Sequence, residues 1–480
     1  MKKLALLPVL TLLAGCTVGP NYKRPTVNVP TDYRGVMPAQ PATAASLGNE
    51  KWWDVYQDPV LTQLIHTALQ QNYDVRIAAT RVLQAQAQLG IVRANQFPSA
   101  SVGAGIFSQQ NAKVSNLFPA YEVNAGQLNL SVIWNLDFWG KYRRQTEAAR
   151  AQMLASEWGQ QAVISSLVAN VATAYFQLRA LDAELEIAKR TLGSRQQSLQ
   201  LTQVLETHGS ASDLDVSQSE QLVYTASESI PDLERQVQQQ ENLLSILLGE
   251  NPGSIPRGRA LTEQPVPDSV PAGLPSELLE RRPDVLEAEA NMMAANAQIG
   301  VAKAAYYPLL NLAAAGGFES GSITTLISGP SILWSAGPSA ALTLFDVGRR
   351  RAASDQAIAA YNQQVANYRQ TVLTGFQQVE DNIAGLRILE HEGQVQSAAV
   401  IAAQKYLELA ITRYKGGVTS YLEVTTAQTA ALSDELTAVT ILGRRMVDAV
   451  TLVQALGGGW DSSALPPRPE CCGKLTGNSK

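Results

Sequence analysis

The chain has 480 residues, 45% of them hydrophobic and 16% charged, with a formal net charge of -5. That length allows several domains, and the acidic balance argues against a nucleic-acid-binding surface. His66, His208 and His391 are scattered with no His/Cys cluster, and no nucleophile elbow, phosphate loop or zinc motif is present, so neither enzymatic chemistry nor a cofactor or metal site is expected.

At the N-terminus, Lys2-Lys3 precedes an apolar run from Leu4 to Leu13 that is too short to cross a bilayer as a helix. The run ends at Ala14-Gly15-Cys16, which marks residues 1–15 as a secretory signal. Leu13-Ala14-Gly15-Cys16 also resembles a bacterial lipobox, in which Cys16 is the acylated first residue of the mature chain. By the same resemblance, Thr17 in place of an aspartate implies sorting to the outer membrane. Lipid chains of this kind attach a protein without a transmembrane helix. Residues 16–59 form a first segment, Pro-rich and aperiodic to about Leu47, and Lys51-Trp52-Trp53-Asp54 then leads toward Asp58-Pro59. A helix is predicted from Val60 to Asn95, stopped by Phe97-Pro98.

The period then changes to two. Over about 99–108, Ala100, Val102, Ala104 and Ile106 alternate with Ser99, Ser101, Gly103 and Gly105. Over about 127–136, Leu128, Leu130, Val132, Trp134 and Leu136 alternate with Gln127, Asn129, Ser131 and Asn135. These uncharged stretches, apolar on one face and small and polar on the other, fit transmembrane β-strands between lipid and water. Taken alone they also fit half-buried strands of a soluble sandwich.

Gly140-Lys141 opens a second helical region to about Glu206. Ile164, Leu167, Val171, Ala174, Leu178, Leu181 and Leu185 step by three and four along it. At 1.5 Å per residue such a helix is about 100 Å long, more than a compact soluble domain needs. Thr207-His208-Gly209-Ser210-Ala211-Ser212 reads as the tip of a helical hairpin whose second helix is capped by Ser212. The heptad rhythm resumes from Val216, Pro231 is expected to kink or break it, and Leu248-Gly249 closes the first repeat, residues 60–250.

A Pro-rich linker, 251–275, follows, and the pattern then starts again as a second repeat, 276–458. Pro283-Asp284-Val285 answers Tyr73-Asp74-Val75, and Pro308 answers Pro98, at an offset of 210. Gly348-Arg349 answers Gly140-Lys141, Gly417 answers Gly209, and Leu456-Gly457 answers Leu248-Gly249, at an offset of 208. The duplication predicts two further strands, at about 309–318 and 337–346. The tail 459–480 carries Cys471-Cys472, read as an exposed tail of no defined role or as a disulfide pair.

A sheet in lipid must close, because an open edge leaves backbone groups unpaired there. About eight strands is the smallest practical barrel, so a chain supplying four must oligomerise. Eight strands from a dimer, twelve from a trimer and sixteen from a tetramer all remain open on these grounds. Residues 109–123 and 319–335 have the length of extracellular loops, and Phe97, Phe107, Trp134, Tyr306, Tyr307 and Phe318 lie near strand ends as an aromatic girdle requires. The long helices then form a second tube reaching into the periplasm.

Gly19-Pro20-Asn21-Tyr22 with Pro25, Trp52-Trp53 with Asp58-Pro59, Arg281-Arg282-Pro283-Asp284-Val285, Phe345-Asp346-Val347-Gly348 and Leu456-Gly457-Gly458-Gly459-Trp460 are together specific. In these motifs, spread over nearly the whole mature chain, the protein resembles the TolC-like outer-membrane efflux proteins, in the lipoprotein subgroup serving resistance-nodulation-division (RND) pumps. The resemblance implies an internally duplicated α+β membrane protein in which four strands per chain build a homotrimeric twelve-stranded β-barrel, continued by a long periplasmic α-helical barrel. It also implies a periplasmic adaptor and an inner-membrane RND pump as partners, and the role of exit channel for drugs or other toxic small molecules. The alternatives are a channel for an ABC- or MFS-driven exporter or for metal efflux, and a structural coiled-coil lipoprotein without a pore.

Any residue near the axis of an oligomer becomes a ring, so Asp213, Asp215 and Glu423 at the tips are candidate selectivity groups, although Asp213 and Asp215 also suit the N-terminus of the following helix. In related channels the closed end is narrowed by a leucine and an aspartate, held by polar links. Leu422 matches that leucine and Tyr414 a linking tyrosine, whereas the acidic position falls on Thr426 and a nearby arginine on Thr429. Replacing Leu422 with Ala or Tyr414 with Phe is expected to loosen the tip, and Glu423→Gln to weaken cation selectivity. Gly209, Ser210, Gly417, Val418 and Thr419 are the expected adaptor contacts, though small residues at a turn also serve the backbone.

Overall fold

A computed structural model describes residues 17–34, 53, 56–112, 120–265 and 275–458. The signal, Cys16, Trp52, the centre of the first outer loop, most of the second half of the linker, and the tail with Cys471-Cys472 lie outside the described residues.

Asp58 starts the first repeat by accepting from Val60 N and Leu61 N, with Pro59 at the first helical position where a missing N–H costs nothing. Helix α1 (Pro59–Gln71) is then interrupted at Asn72, whose extended backbone lets its side chain cap α2 (Tyr73–Ala94) through Asp74 N and Val75 N. The single helix predicted for 60–95 is thus two, because an asparagine cap competes with helix continuation. Strands β1 (Ser99–Asn111) and β2 (Tyr121–Leu136) lead to α3 (Lys141–Thr207), and α4 (Asp213–Leu248) returns from the tip. Of the kink or break expected at Pro231, the break does not occur: Pro231 lies inside α4, which continues through it.

The second half repeats this order. A short α5 (Pro275–Arg281) precedes α6 (Pro283–Ala304), β3 (Leu309–Ser320), β4 (Ile332–Ala341), α7 (Arg349–Lys415) and α8 (Tyr421–Ala455). Helices α3 and α7 are each 67 residues long, and α2 and α6 are each 22. Where strand gives way to long helix, the chain turns through Gly140 at φ 77° and Gly348 at φ 82°, the left-handed region that a side chain disfavours.

The strands form one antiparallel sheet in the order β1-β2-β3-β4. Strands β1 and β2 run further outward than predicted, while β4 begins and ends five residues earlier, leaving Leu342 and Leu344 beyond it. The main core lies along α3, against which α1, α4 and α8 pack, with Tyr56, Leu61, Tyr175, Phe176, Leu244 and Met446 almost fully enclosed. Near the tips a smaller cluster joins Ala410, Tyr414, Tyr421, Val424 and Ala427.

Candidate channel, strap and periplasmic tip

The register sorts the sheet into two unlike faces. Ser101 opposes Ser131, Gly103 opposes Asn129 and Gly105 opposes Gln127, and from β2 the same face continues to Ala315, Gly317 and Glu319. The opposite face carries Val102, Ile106, Leu130, Leu312 and Trp334, all exposed in the single chain. An apolar outer face against lipid and a small, polar inner face against water is the wall of a channel. Phe107 shares the polar face with Ser101 and Gly105, so it does not belong to the outer aromatic girdle expected from its position near a strand end. Trp134 and Phe318 do lie on the apolar face. At the inner end of the sheet, Tyr307 stacks on Trp139 at 4.7 Å, whose indole donates to Pro308 O at 2.9 Å.

Among the described residues the wall is open at both edges, since β1 and β4 each have one partner. The helices show the same incompleteness. Helix α6 packs between α3 and α7, but its counterpart α2 packs on α3 alone and leaves Tyr73, Ile77, Leu83 and Ile91 exposed. Repeat symmetry assigns that face to α7 of a neighbouring chain.

The segment after Cys16 crosses the outside of this bundle as a strap. Val18 N donates to Trp139 O at 3.1 Å, and the buried Arg144 reaches Val18 O, Gly19 O and Asn21 Oδ1, the last at 2.8 Å. Gly19, at φ 103°, presses on Gly300 so closely that a Cβ would lie 2.5 Å from the Gly300 Cα. Further along, Tyr22 donates to Glu289 at 3.2 Å, Arg24 pairs with the same carboxylate at 2.8 Å, and Arg34 N donates to Glu380 on α7. Burial first, and the Glu289 charge second, push the Tyr22 phenol above its ordinary value.

Asp58 does more than cap α1. Its Oδ2 accepts from Tyr175 Oη at 2.8 Å, Gln264 Nε2 at 2.7 Å and Arg259 N at 3.3 Å, tying α3 and the inter-repeat linker to one carboxylate. Burial acts to raise its pKa, but hydrogen bonds from Tyr175, Gln264, Leu61 and Val60 outweigh it and hold the carboxyl below the usual range. Beside it, Arg257 bridges Asp182 at 3.0 Å and also pairs with Glu241.

The two tips are built alike and dressed differently. Gly209 and Gly417 have φ of 72° and 68°, and nothing lies within 4 Å of where a Cβ would point, so backbone conformation rather than space calls for glycine. At the first tip, Ser212 Oγ accepts from Asp215 N while Asp215 Oδ2 accepts from Ser212 N at 2.9 Å, a reciprocal capping box. Asp213 and Leu214 are exposed, as is Ser210. At the second tip, Glu423 accepts from the Thr419 hydroxyl one turn back, and Val418 is exposed.

On α8, Leu422, Thr426 and Thr429 form one exposed stripe, Leu422 at 60% exposure, facing a groove whose other wall is Gln218, Gln221 and Leu222 of α4. The hydroxyls of Thr426 and Thr429 turn back to Leu422 O and Thr425 O, so neither reaches across the groove. Tyr414 is packed away from the groove with its ring 5.2 Å from Tyr421. Burial raises its pKa, the Asp215 charge adding to the effect and Thr202 opposing it.

Sequence reading did not single out Tyr421, Ser219, Gln428 or Arg195. Tyr421 donates to Ser219 at 2.8 Å and Gln428 to Ser198 at 2.9 Å, joining α8 to α4 and α3. A polar residue amid heptad positions is the signal that marked them, but a surface role explains that signal equally well.

A four-stranded piece of membrane barrel set on paired 67-residue helices defines the class: an oligomeric outer-membrane channel with a periplasmic helical tube. The family description "Outer membrane efflux protein" matches residues 64–250 and 274–458. The cation efflux system protein CusC of Escherichia coli is 32% identical over 463 residues, covering 96% of this chain and all of that protein. The toluene efflux pump outer membrane protein TtgC of Pseudomonas putida is 34% identical over 455 residues, 94% of each chain. The solved outer-membrane channel OprN superposes with a TM-score of 0.85 at 29% identity, over 93% of this chain and all of that one. The chain belongs to the outer membrane efflux protein family. It is an efflux channel of the outer membrane extending into the periplasm, not an enzyme, and its four strands and long helices are one third of a twelve-stranded barrel and its helical continuation.

Proposed function

We propose that the protein is the exit duct of a tripartite RND-type system, taking drugs or other toxic organic molecules from a periplasmic adaptor and inner-membrane pump to the exterior. The observation that carries this reading is the pairing of a polar-lined barrel wall with two unlike hairpin tips at the far end of the long helices. Serine, asparagine and glutamine on the inner face offer hydrogen bonds, with fixed charge only toward its outer end at Glu319, which suits passage of varied solutes. The toluene-pump relative favours organic cargo; the cation-efflux relative is the reason to test metal salts beside it. Deleting the gene should sensitise cells to organic toxicants in a broad panel, and the adaptor should co-purify with the intact chain. Sensitisation confined to metal salts would refute organic cargo.

In this reading the tips both close the duct and receive the adaptor. Leu422 is the constriction, Tyr414 supports it from behind, and Gly209, Ser210, Gly417, Val418 and Thr419 contact the adaptor. Val418, 70% exposed, is the site for a cysteine cross-link to the adaptor, and a cross-link only at mid-helix controls would move the contact elsewhere. Asp213, Asp215, Glu423 and Thr426 shape the electrostatics around the constriction. Glu423→Gln should shift the reversal potential toward anions, and no shift would take Glu423 out of the ion path. Cys16 carries the lipid: Thr17 and Val18 are fastened beside Gly140 and Trp139 at the inner end of the barrel, where an attached acyl chain meets the bilayer. Mass spectrometry of the mature protein should show an acylated Cys16, and an unmodified or absent Cys16 would overturn this.

A further inference from the structure

Above the first tip, α3 carries a charge that the fold encloses with no counter-charge among the described residues. Arg195 is 3% exposed within its own chain, so no neighbouring subunit can reach it. Its Nη1 donates to Leu222 O on α4 at 2.9 Å, and its Nε has no hydrogen-bond partner. Among the described residues no carboxylate pairs with it, and burial holds its pKa below the ordinary guanidinium value, with the neighbouring Tyr421 acting the other way. An enclosed cation of this kind costs free energy unless it is paired and hydrogen-bonded.

The same point is where three helices are tied together. Tyr421 of α8, 1% exposed, donates to Ser219 of α4, and Gln428 of α8 donates to Ser198 of α3. Helices α4 and α8 touch little over their whole length, and a groove lined by Leu422 lies between them. Leu222, whose carbonyl receives Arg195, also lines that groove. Leu422 follows Tyr421 directly, so whatever fixes Tyr421 fixes the direction of Leu422.

We propose that Tyr421 and Arg195 are opposed positioning residues for the constriction: the Tyr421–Ser219 bridge holds Leu422 in the closed arrangement, and the enclosed guanidinium of Arg195 makes that arrangement costly. The inference rests on the duct reading above. Widening the groove between α4 and α8 breaks the bridge and admits water to the side of Leu222, so Arg195 gains hydration as Tyr421 loses its Ser219 acceptor on α4 and keeps only its partners on α3. The joint is held, but weakly enough to open.

A merely structural pair predicts the same sign for both substitutions, and the opposed pair predicts opposite signs. Full-length protein in planar bilayers, with thermal melting of the same preparations, separates them. Tyr421→Phe keeps the ring and removes one hydrogen bond, and should raise the ratio of open to closed time roughly fivefold. Arg195→Met keeps the length and removes the charge, and should lower that ratio by at least as much while raising the melting temperature. Arg195→Lys, which retains a cation, should stay closer to the parent than Arg195→Met. The proposal is overturned if Arg195→Met raises the ratio together with Tyr421→Phe, if both leave it unchanged, or if Arg195→Met prevents assembly. A parent that carries no current refutes the duct reading itself, whereas a conducting parent with indifferent variants refutes only the joint.

Discussion

Asp58 shows how one side chain can organise distant parts of the chain. Its carboxylate caps α1 and receives α3 through Tyr175 and the linker through Gln264 and Arg259. Replacing it with Asn should destabilise the folded protein by about 1–3 kcal/mol at neutral pH, read by denaturant or heat. Because its folded pKa lies below the unfolded value, its contribution is present above the ordinary carboxyl range near pH 4 and is lost as pH falls through the folded value. Melting temperatures of parent and variant should therefore converge in acid, and a gap that stays constant with pH would contradict the assignment. Leu422 is the opposite case. Mostly exposed in the chain, it contributes little to packing, so Leu422→Ala should change stability by no more than about 0.5 kcal/mol yet raise single-channel conductance. Unchanged conductance would remove Leu422 from the constriction. Asp58-Pro59 and Leu422 were both marked in the sequence through resemblance, and the carboxylate's cap and cross-links were not read there. Arg195 and Ser219 were not, because nothing in a heptad pattern tells an enclosed polar residue from a surface one.

At the level of elements, strand alternation and helical rhythm located every long element, and the 208- and 210-residue offsets recur in the structure as paired helices of equal length. Misread boundaries have local causes. Asn72 stops a helix by capping the next one, and Pro231 is absorbed on the exposed side of α4. β4 ends early because the predicted alternation at Leu342 and Leu344 continues into an irregular segment beyond the last paired residue, Ala341. The run Ala313-Ala314-Ala315-Gly316-Gly317 in β3 has little side-chain bulk, and β2 pairs with β3 across it. A Cβ at Gly317 would lie 2.1 Å from Leu128 O. Gly317→Val should accordingly block that pairing and abolish heat-modifiable oligomers in outer-membrane fractions, whereas Gly337→Ala, with open space at its Cβ, should preserve them.

For the whole molecule, the decisive fact is incompleteness: two free strand edges, and α2 with one face unmatched. Sequence physics required oligomerisation but left the number open, because counting strands toward a closed barrel permits more than one answer. Repeat symmetry makes the closure concrete. Ala104 opposite Leu128 recurs as Ala314 opposite Ala336, at offsets of 210 and 208. Applying the same offsets to the pairing of Ser131 with Ala315 places Ser339 of one chain opposite Gly105 of the next, on the water-filled face. Cysteines at Gly105 and Ser339 in the same chain test this directly under mild oxidation in outer-membrane fractions. A covalent ladder that ends at three chains is expected. A ladder ending at two or four, or no intermolecular cross-link, would contradict it.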